Sequence, residues 1–139
     1  MIALDASIAL KLVLHEADSE AARSVWQGWA EAGEVLVAPV LFRAESFSVL
    51  RRKVHQGVLK DAEGEEAYDV LESLPIQLRE PADLYRVAWQ YAARFNRPTV
   101  YDSCYLALAA IAGCEFWTAD SRLANAVSPH LPWVRLLAV

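Results

Sequence analysis

Residues 1–12 read MIALDASIALKL, and this stretch decides the fold. Ile2 to Leu4 is a short apolar run that reads as a strand. Residues 6–14 continue apolar, broken by Lys11, and read as a first helix. Between the two stands a charge, Asp5. Helix capping explains an aspartate at such a joint. So does a metal site. The choice turns on whether other acids hold similar joints.

The rest of the chain repeats the alternation. Asp18 and Ser19 offer caps for a helix to about Ala32, closed by Gly33. EVLVAP (34–39) is a second strand. Residues 40–56 form a long helix with apolar residues on several sides, among them Leu41, Ala44, Phe47, Leu50 and Val54; Gly57 stops it. A helix over 61–74 ends before Pro75, PIQLRE (75–80) reads as a short strand, and Pro81 starts a helix to about Phe95. After the loop NRPTVY (96–101) comes DSCYLALAAIAG (102–113), a nearly all-apolar helix that must be buried. CEFWTAD (114–120) is a strand ending at an aspartate, SRLANAV (121–127) a short helix, and WVRLL (133–137) a last strand. Short strands alternating with helices predict a three-layer α/β/α fold on a short, mostly parallel sheet. No repeat or low-complexity linker divides it, so one domain over 1–139 is expected.

Composition narrows the function. With 55% apolar and 22% charged residues the chain is globular. A net charge of -5 argues against bulk electrostatic binding of nucleic acid. The longest apolar run, Tyr105 to Cys114, falls short of the roughly 18 residues that cross a bilayer. The first residues lack a basic start, which does not read as a signal peptide. If the segment between Cys104 and Cys114 is helical, ten residues at ~1.5 Å each put them about 15 Å apart, beyond the ~7 Å that a disulfide spans. Both are expected to be reduced, in a cytoplasmic protein.

Other acids do hold the joints. Asp120 follows the strand EFWT, and Asp102 follows the PTVY loop and opens the buried helix. Ligands of open parallel sheets bind outside the carboxyl ends of the strands, where three aspartates would form an acidic pocket. Capping alone accounts for each of them singly. Glu45, in the second turn of the helix after LVAP, lies beyond capping reach; it either turns inward or shares a solvated face with Ser48 and Arg52. Four converging carboxylates would need protons or a cation, and an oxygen-only set selects Mg²⁺ or Mn²⁺. No zinc spacing, P-loop or GxGxxG is present, and His15, His55 and His130 are scattered.

DASIALK (5–11), Glu45 after VAP, YDSCYLALA (101–109) and WTAD (117–120) together resemble the PIN-domain family, in particular the VapC-type toxins of prokaryotic toxin–antitoxin modules. The resemblance spans residues 5–122. It implies that Asp5, Glu45, Asp102 and Asp120 are the four catalytic, metal-holding acids, with Ser7 orienting the first and Thr118 supporting the last. It further implies a Mg²⁺- or Mn²⁺-dependent endoribonuclease acting on RNA, a VapB-type antitoxin partner and a homodimer.

Substrate contacts are less legible. Lys11 and Arg43 lie within reach of Asp5 and Glu45, and Arg94 and Arg97 precede the acidic rim. The RRK run at 51–53 near a helix C-terminus is an ordinary dipole partner. Trp26, Trp29 and Trp89 sit at the spacing of a helical core and read as packing or interface residues, not base-stacking platforms. The 40–56 helix is more apolar than one face needs, which fits either an intermolecular interface or a place between other helices of the chain. Two other readings compete with the nuclease. One is a non-catalytic PIN-like module that binds RNA or protein. The other is a metal-dependent phosphatase, for which Ser7 stands where a D-x-D motif wants a second acid.

Overall fold

The computed structural model describes residues 1–137. Its elements follow the expected alternation: β1 (Ile2–Leu4), α1 (Ala6–Val13), α2 (Ser19–Glu31), β2 (Leu36–Pro39), α3 (Leu41–His55), α4 (Asp61–Ser73), β3 (Ile76–Arg79), α5 (Leu84–Arg94), α6 (Tyr101–Ala112), β4 (Glu115–Thr118), α7 (Ser121–Val127) and β5 (Val134–Leu136).

The five strands form one sheet in the order β3-β2-β1-β4-β5, and every pairing is parallel. β1 and β2 are buried throughout, as apolar strands covered on both faces must be. The edge strand β3 is only part-buried, which its Gln77 and Arg79 tolerate. The chain walks outward from β1 to β3, then returns across the sheet to β4. Right-handed crossovers put α1–α4 on one face and α5–α7 on the other, giving the three-layer architecture. The walk reverses beside β1. The crevice outside the carboxyl ends of β1 and β4 is therefore where this topology opens a ligand site.

α6 is the central helix of its layer. Ser103 through Ala109 are all buried, and α6 packs on β1, β2 and β4 beneath α5. Gly113 ends it in the left-handed conformation (φ 68°), which a residue with a Cβ resists, and delivers the chain directly into β4. α3 packs against α1 and α4, which cover part of its apolar surface, while Ala44 and Phe47 line an open hollow. Phe42 and Leu50 are buried, and the Phe47 ring meets Tyr68 of α4 at 4.8 Å. α3 and α4 approach closely at Gly64, where a Cβ would collide with the Val54 methyl Cγ2.

Of the three helical tryptophans, Trp89 takes no part in core packing and is 67% exposed. The buried stripe of α5 is Leu84, Ala88 and Ala92, at i, i+4 and i+8. Trp89 sits one residue on, about 100° around the helix. Trp29 is buried and meets Trp117 edge-on at 5.5 Å. Cys104 and Cys114 are free thiols.

Candidate active site

The crevice is organised around Asp5. It ends β1 and serves as the N-cap of α1, its Oδ1 accepting from the Ile8 amide at 3.3 Å. Capping does not exhaust this side chain. Ser7 Oγ donates to Oδ1 and Thr118 Oγ1 to Oδ2, each at 2.5 Å. Both hydroxyls accept in turn from the chain beyond β4. The Ala119 amide donates to Ser7 at 2.8 Å and the Asp120 amide to Thr118 at 3.0 Å. Two relays therefore run from the β4–α7 joint through hydroxyls onto one carboxylate. Only 6% of Asp5 is exposed, and Thr118 is wholly buried. Burial pushes the Asp5 carboxyl up to about 6; the Ser7, Thr118 and Ile8 bonds pull the other way, and the charge of Glu45 adds to the rise.

Glu45, one turn into α3, points into the same crevice. Its Oε1 accepts from the Tyr105 hydroxyl at 3.2 Å. Partial burial raises its carboxyl, the Tyr105 bond opposes this, and the charge of Asp102 raises it further. Tyr105 lies one turn along α6 from Asp102 and is buried. Its hydroxyl is held far above its ordinary range by burial and then by Glu45, Asp5 and Asp102. Three of the four sequence-selected acids thus act on one phenol, Glu45 by a hydrogen bond and Asp5 and Asp102 through their charge. Sequence reading passed Tyr105 by, although its i+3 spacing from Asp102 puts both on one face of the helix.

Asp102 is the second residue of α6 and caps nothing. Its Oδ2 accepts from Arg97 Nη2 at 3.0 Å. Asp120 stands apart from the trio. Its Oδ1 accepts from the Arg122 and Leu123 amides at 3.0 and 3.2 Å, capping α7. It touches the Asp5 system only through its own amide on Thr118.

The cations noted in the sequence have other partners. Lys11 Nζ bridges to Glu16 and Asp18 at 2.5 and 2.9 Å. Arg43 pairs with Glu72 at 3.0 Å and lies over the Phe47 ring. Arg51, Arg52 and His55 line an open hollow on α3 that contains none of the four acids. A further acid, Glu80, follows β3 as Asp5 follows β1. It accepts from the Tyr85 hydroxyl at 3.3 Å. After burial, its charge helps raise the Cys104 thiol to about 11.

The donor chemistry suits a hard divalent cation. It is oxygen only, and its buried carboxylate is crowded by like charge. Among the described residues no three acid, histidine or cysteine side chains yet stand close enough to close a cage. Asp102 is engaged by Arg97 instead.

Comparison with known proteins agrees with this fold. The family model described as PIN domain matches residues 2–128. The chain is 31% identical over 132 residues to VapC ribonuclease Mb0985 of Mycobacterium bovis and to ribonuclease VapC9 of Mycobacterium tuberculosis, covering 95% of this chain and of each relative. Two crystal structures share the fold. Mycobacterium tuberculosis VapC20, a Sarcin-Ricin loop cleaving toxin, superposes with a TM-score of 0.65 at 18% identity, over 91% of this chain and 95% of its own. PAE2754 from Pyrobaculum aerophilum gives 0.62 at 23%, over 90% and 84%. With family match, relatives and fold in agreement, the chain belongs to the PIN-domain family, in the branch of the VapC ribonucleases.

Proposed function

We propose that the chain is a Mg²⁺- or Mn²⁺-dependent endoribonuclease, the toxin of a module whose VapB-type antitoxin restrains it. It acts in the cytoplasm as a homodimer, and residues 1–139 form a single domain. One observation carries the reading. A buried carboxylate, Asp5, is locked by two hydroxyl relays at the β1–β4 crevice, with Glu45 and Asp102 crowding the same space. A carboxylate raised to about 6 is costly to keep ionised, and a cation removes that cost.

Asp5, Glu45 and Asp102 would hold the ion, with Asp120 completing the acidic rim. When bound, the ion lowers the pKa of a water and neutralises the leaving oxygen of the phosphodiester. The remaining work belongs to the chain. Ser7 and Thr118 fix both oxygens of Asp5, and Tyr105 fixes Glu45. The open side at Asp102, whose side chain is 41% exposed, admits the RNA backbone. The phosphatase reading loses support here, because Ser7 spends its hydroxyl on Asp5 and supplies no second carboxylate.

The test is cleavage of total cellular RNA by antitoxin-free protein in Mg²⁺ or Mn²⁺, beside EDTA and the variants Asp5→Asn and Asp102→Asn. Discrete fragments that vanish with chelator and with both variants are expected. Cleavage surviving in the variants would remove these acids from the reaction. Folded protein that binds RNA and cuts none in either metal would instead be a binding module.

A further inference from the structure

Arg97 is the one cation paired with any of the four acids among the described residues. Its placement is built. α5 ends at Arg94 with Phe95 as its C-cap, and Asn96 follows with φ 52°, the only non-glycine positive φ among the described residues. The Arg97 amide then closes back onto the Ala92 carbonyl at 2.8 Å, and the Asn96 amide onto Ala93 at 3.3 Å. These two bonds form a Schellman turn, and an asparagine holding its left-handed position accepts a mild cost. Pro98 stiffens the next residue. The Arg97 backbone is thus pinned from both sides, and its side chain, 26% exposed, reaches Asp102.

A guanidinium has five donors in a planar fork. Arg97 spends one of them on Asp102 at 3.0 Å. We propose that Arg97 is the resident counter-charge of Asp102, that it competes there with a divalent cation, and that once displaced it binds a phosphate of the RNA. This rests on the nuclease reading. With Asp102 given to a doubly charged ion, the pinned guanidinium keeps its fork at the crevice and loses its anion. A phosphodiester oxygen pair is the anion that matches the fork. Lys11 and Arg43 are tied to Glu16, Asp18 and Glu72 and offer no comparable free fork.

Competition and substrate binding move in opposite directions when Arg97 is removed, and a merely structural residue would not show this. Mn²⁺ binding to metal-free protein is read by electron paramagnetic resonance, without RNA. Arg97→Ala is expected to bind Mn²⁺ about two- to fivefold more tightly, the worth of a part-exposed ion pair. The same variant is expected to raise KM for a short RNA roughly tenfold or more, as loss of bonds to a charged group does, with kcat little changed. Arg97→Lys keeps the charge without the fork, so its Mn²⁺ affinity should stay near wild type while its KM rises. Unchanged or weaker Mn²⁺ binding in Arg97→Ala, or an unchanged KM, overturns the proposal while wild-type metal binding and cleavage leave the nuclease reading standing. Wild-type protein that binds no Mn²⁺ and cuts no RNA overturns both.

Discussion

The Tyr105 hydroxyl donates to Glu45 Oε1 at 3.2 Å and so ties α6 to α3 across the mouth of the acidic crevice. Burial, and then the neighbouring carboxylates, keep the phenol neutral and so a donor. Tyr105→Phe keeps the ring beside Phe116, 6.0 Å between centroids, and removes only the donor. Expected is a thermal midpoint within a few degrees of wild type and RNA cleavage slowed about tenfold, equivalent to ~1.4 kcal/mol for a bond to a charged group. A melt and a fluorescent-RNA rate measure the two. An unchanged rate would deny Tyr105 a role in holding Glu45.

Asp5 sets a pH dependence of stability. Its carboxyl rises from 3.8 to about 6 on folding, so the folded protein binds the proton more tightly than the unfolded chain. This contribution is greatest below pH 4, is lost as pH climbs toward 6, and stays lost above it. The full change is about 3 kcal/mol. In EDTA, Asp5→Asn should therefore be more stable than wild type at pH 7.5, by up to that amount less what its altered hydrogen bonds cost. About half of the advantage should remain at pH 5. Urea melts at the two values test the sign; a variant less stable at pH 7.5 than at pH 5, relative to wild type, would refute it.

The Thr118 hydroxyl both donates to Asp5 and accepts from the Asp120 amide. Thr118→Val conserves shape and removes a hydrogen bond from the buried Asp5 carboxylate and one from the part-buried Asp120 amide. A loss of about 2–4 kcal/mol is expected, since each orphaned group costs about 1–3 kcal/mol, with cleavage falling in parallel. Chemical denaturation gives the first number. Stability within 0.5 kcal/mol of wild type, roughly the scatter of surface substitutions, would mean that the relay carries no weight.

Gly64 sits inside α4, where alanine would ordinarily gain about 1 kcal/mol of helix propensity. The Val54 methyl fills the space that its Cβ would need, and valine has little freedom to turn away. Gly64→Ala should therefore destabilise by about 1–3 kcal/mol. Adding Val54→Ala should recover part of that loss, and a double-mutant cycle on thermal melts reads the coupling. Additive effects would show that the α3–α4 approach is looser than it stands.

The fold was legible because its signals are local. Asp5, Gly33, Pro39, Gly57 and Gly113 punctuate the chain, and strand and helix periods alternate between them. The acids at strand ends were legible for the same reason. What the sequence concealed is tertiary. The partners of Asp102 and Glu45, namely Arg97 and Tyr105, depend on the turn after α5 and on how α6 crosses α3. Lys11 and Arg43 looked available only because their partners lie elsewhere, on Glu16, Asp18 and, 29 positions away, Glu72. Whether Trp89 packs or lies on the surface was not legible, because a helical period fits two adjacent faces almost equally well.

The bond from Thr118 to Asp5 spans 113 positions, and it has a consequence during synthesis. β1 is made first and is the middle strand of the sheet, yet its second neighbour, β4, follows more than 100 residues later. At about 5–20 residues per second on the ribosome, Asp5 waits roughly 6–23 s for the hydroxyl that locks it. The nascent chain thus carries its first acid without a finished crevice until translation is nearly over.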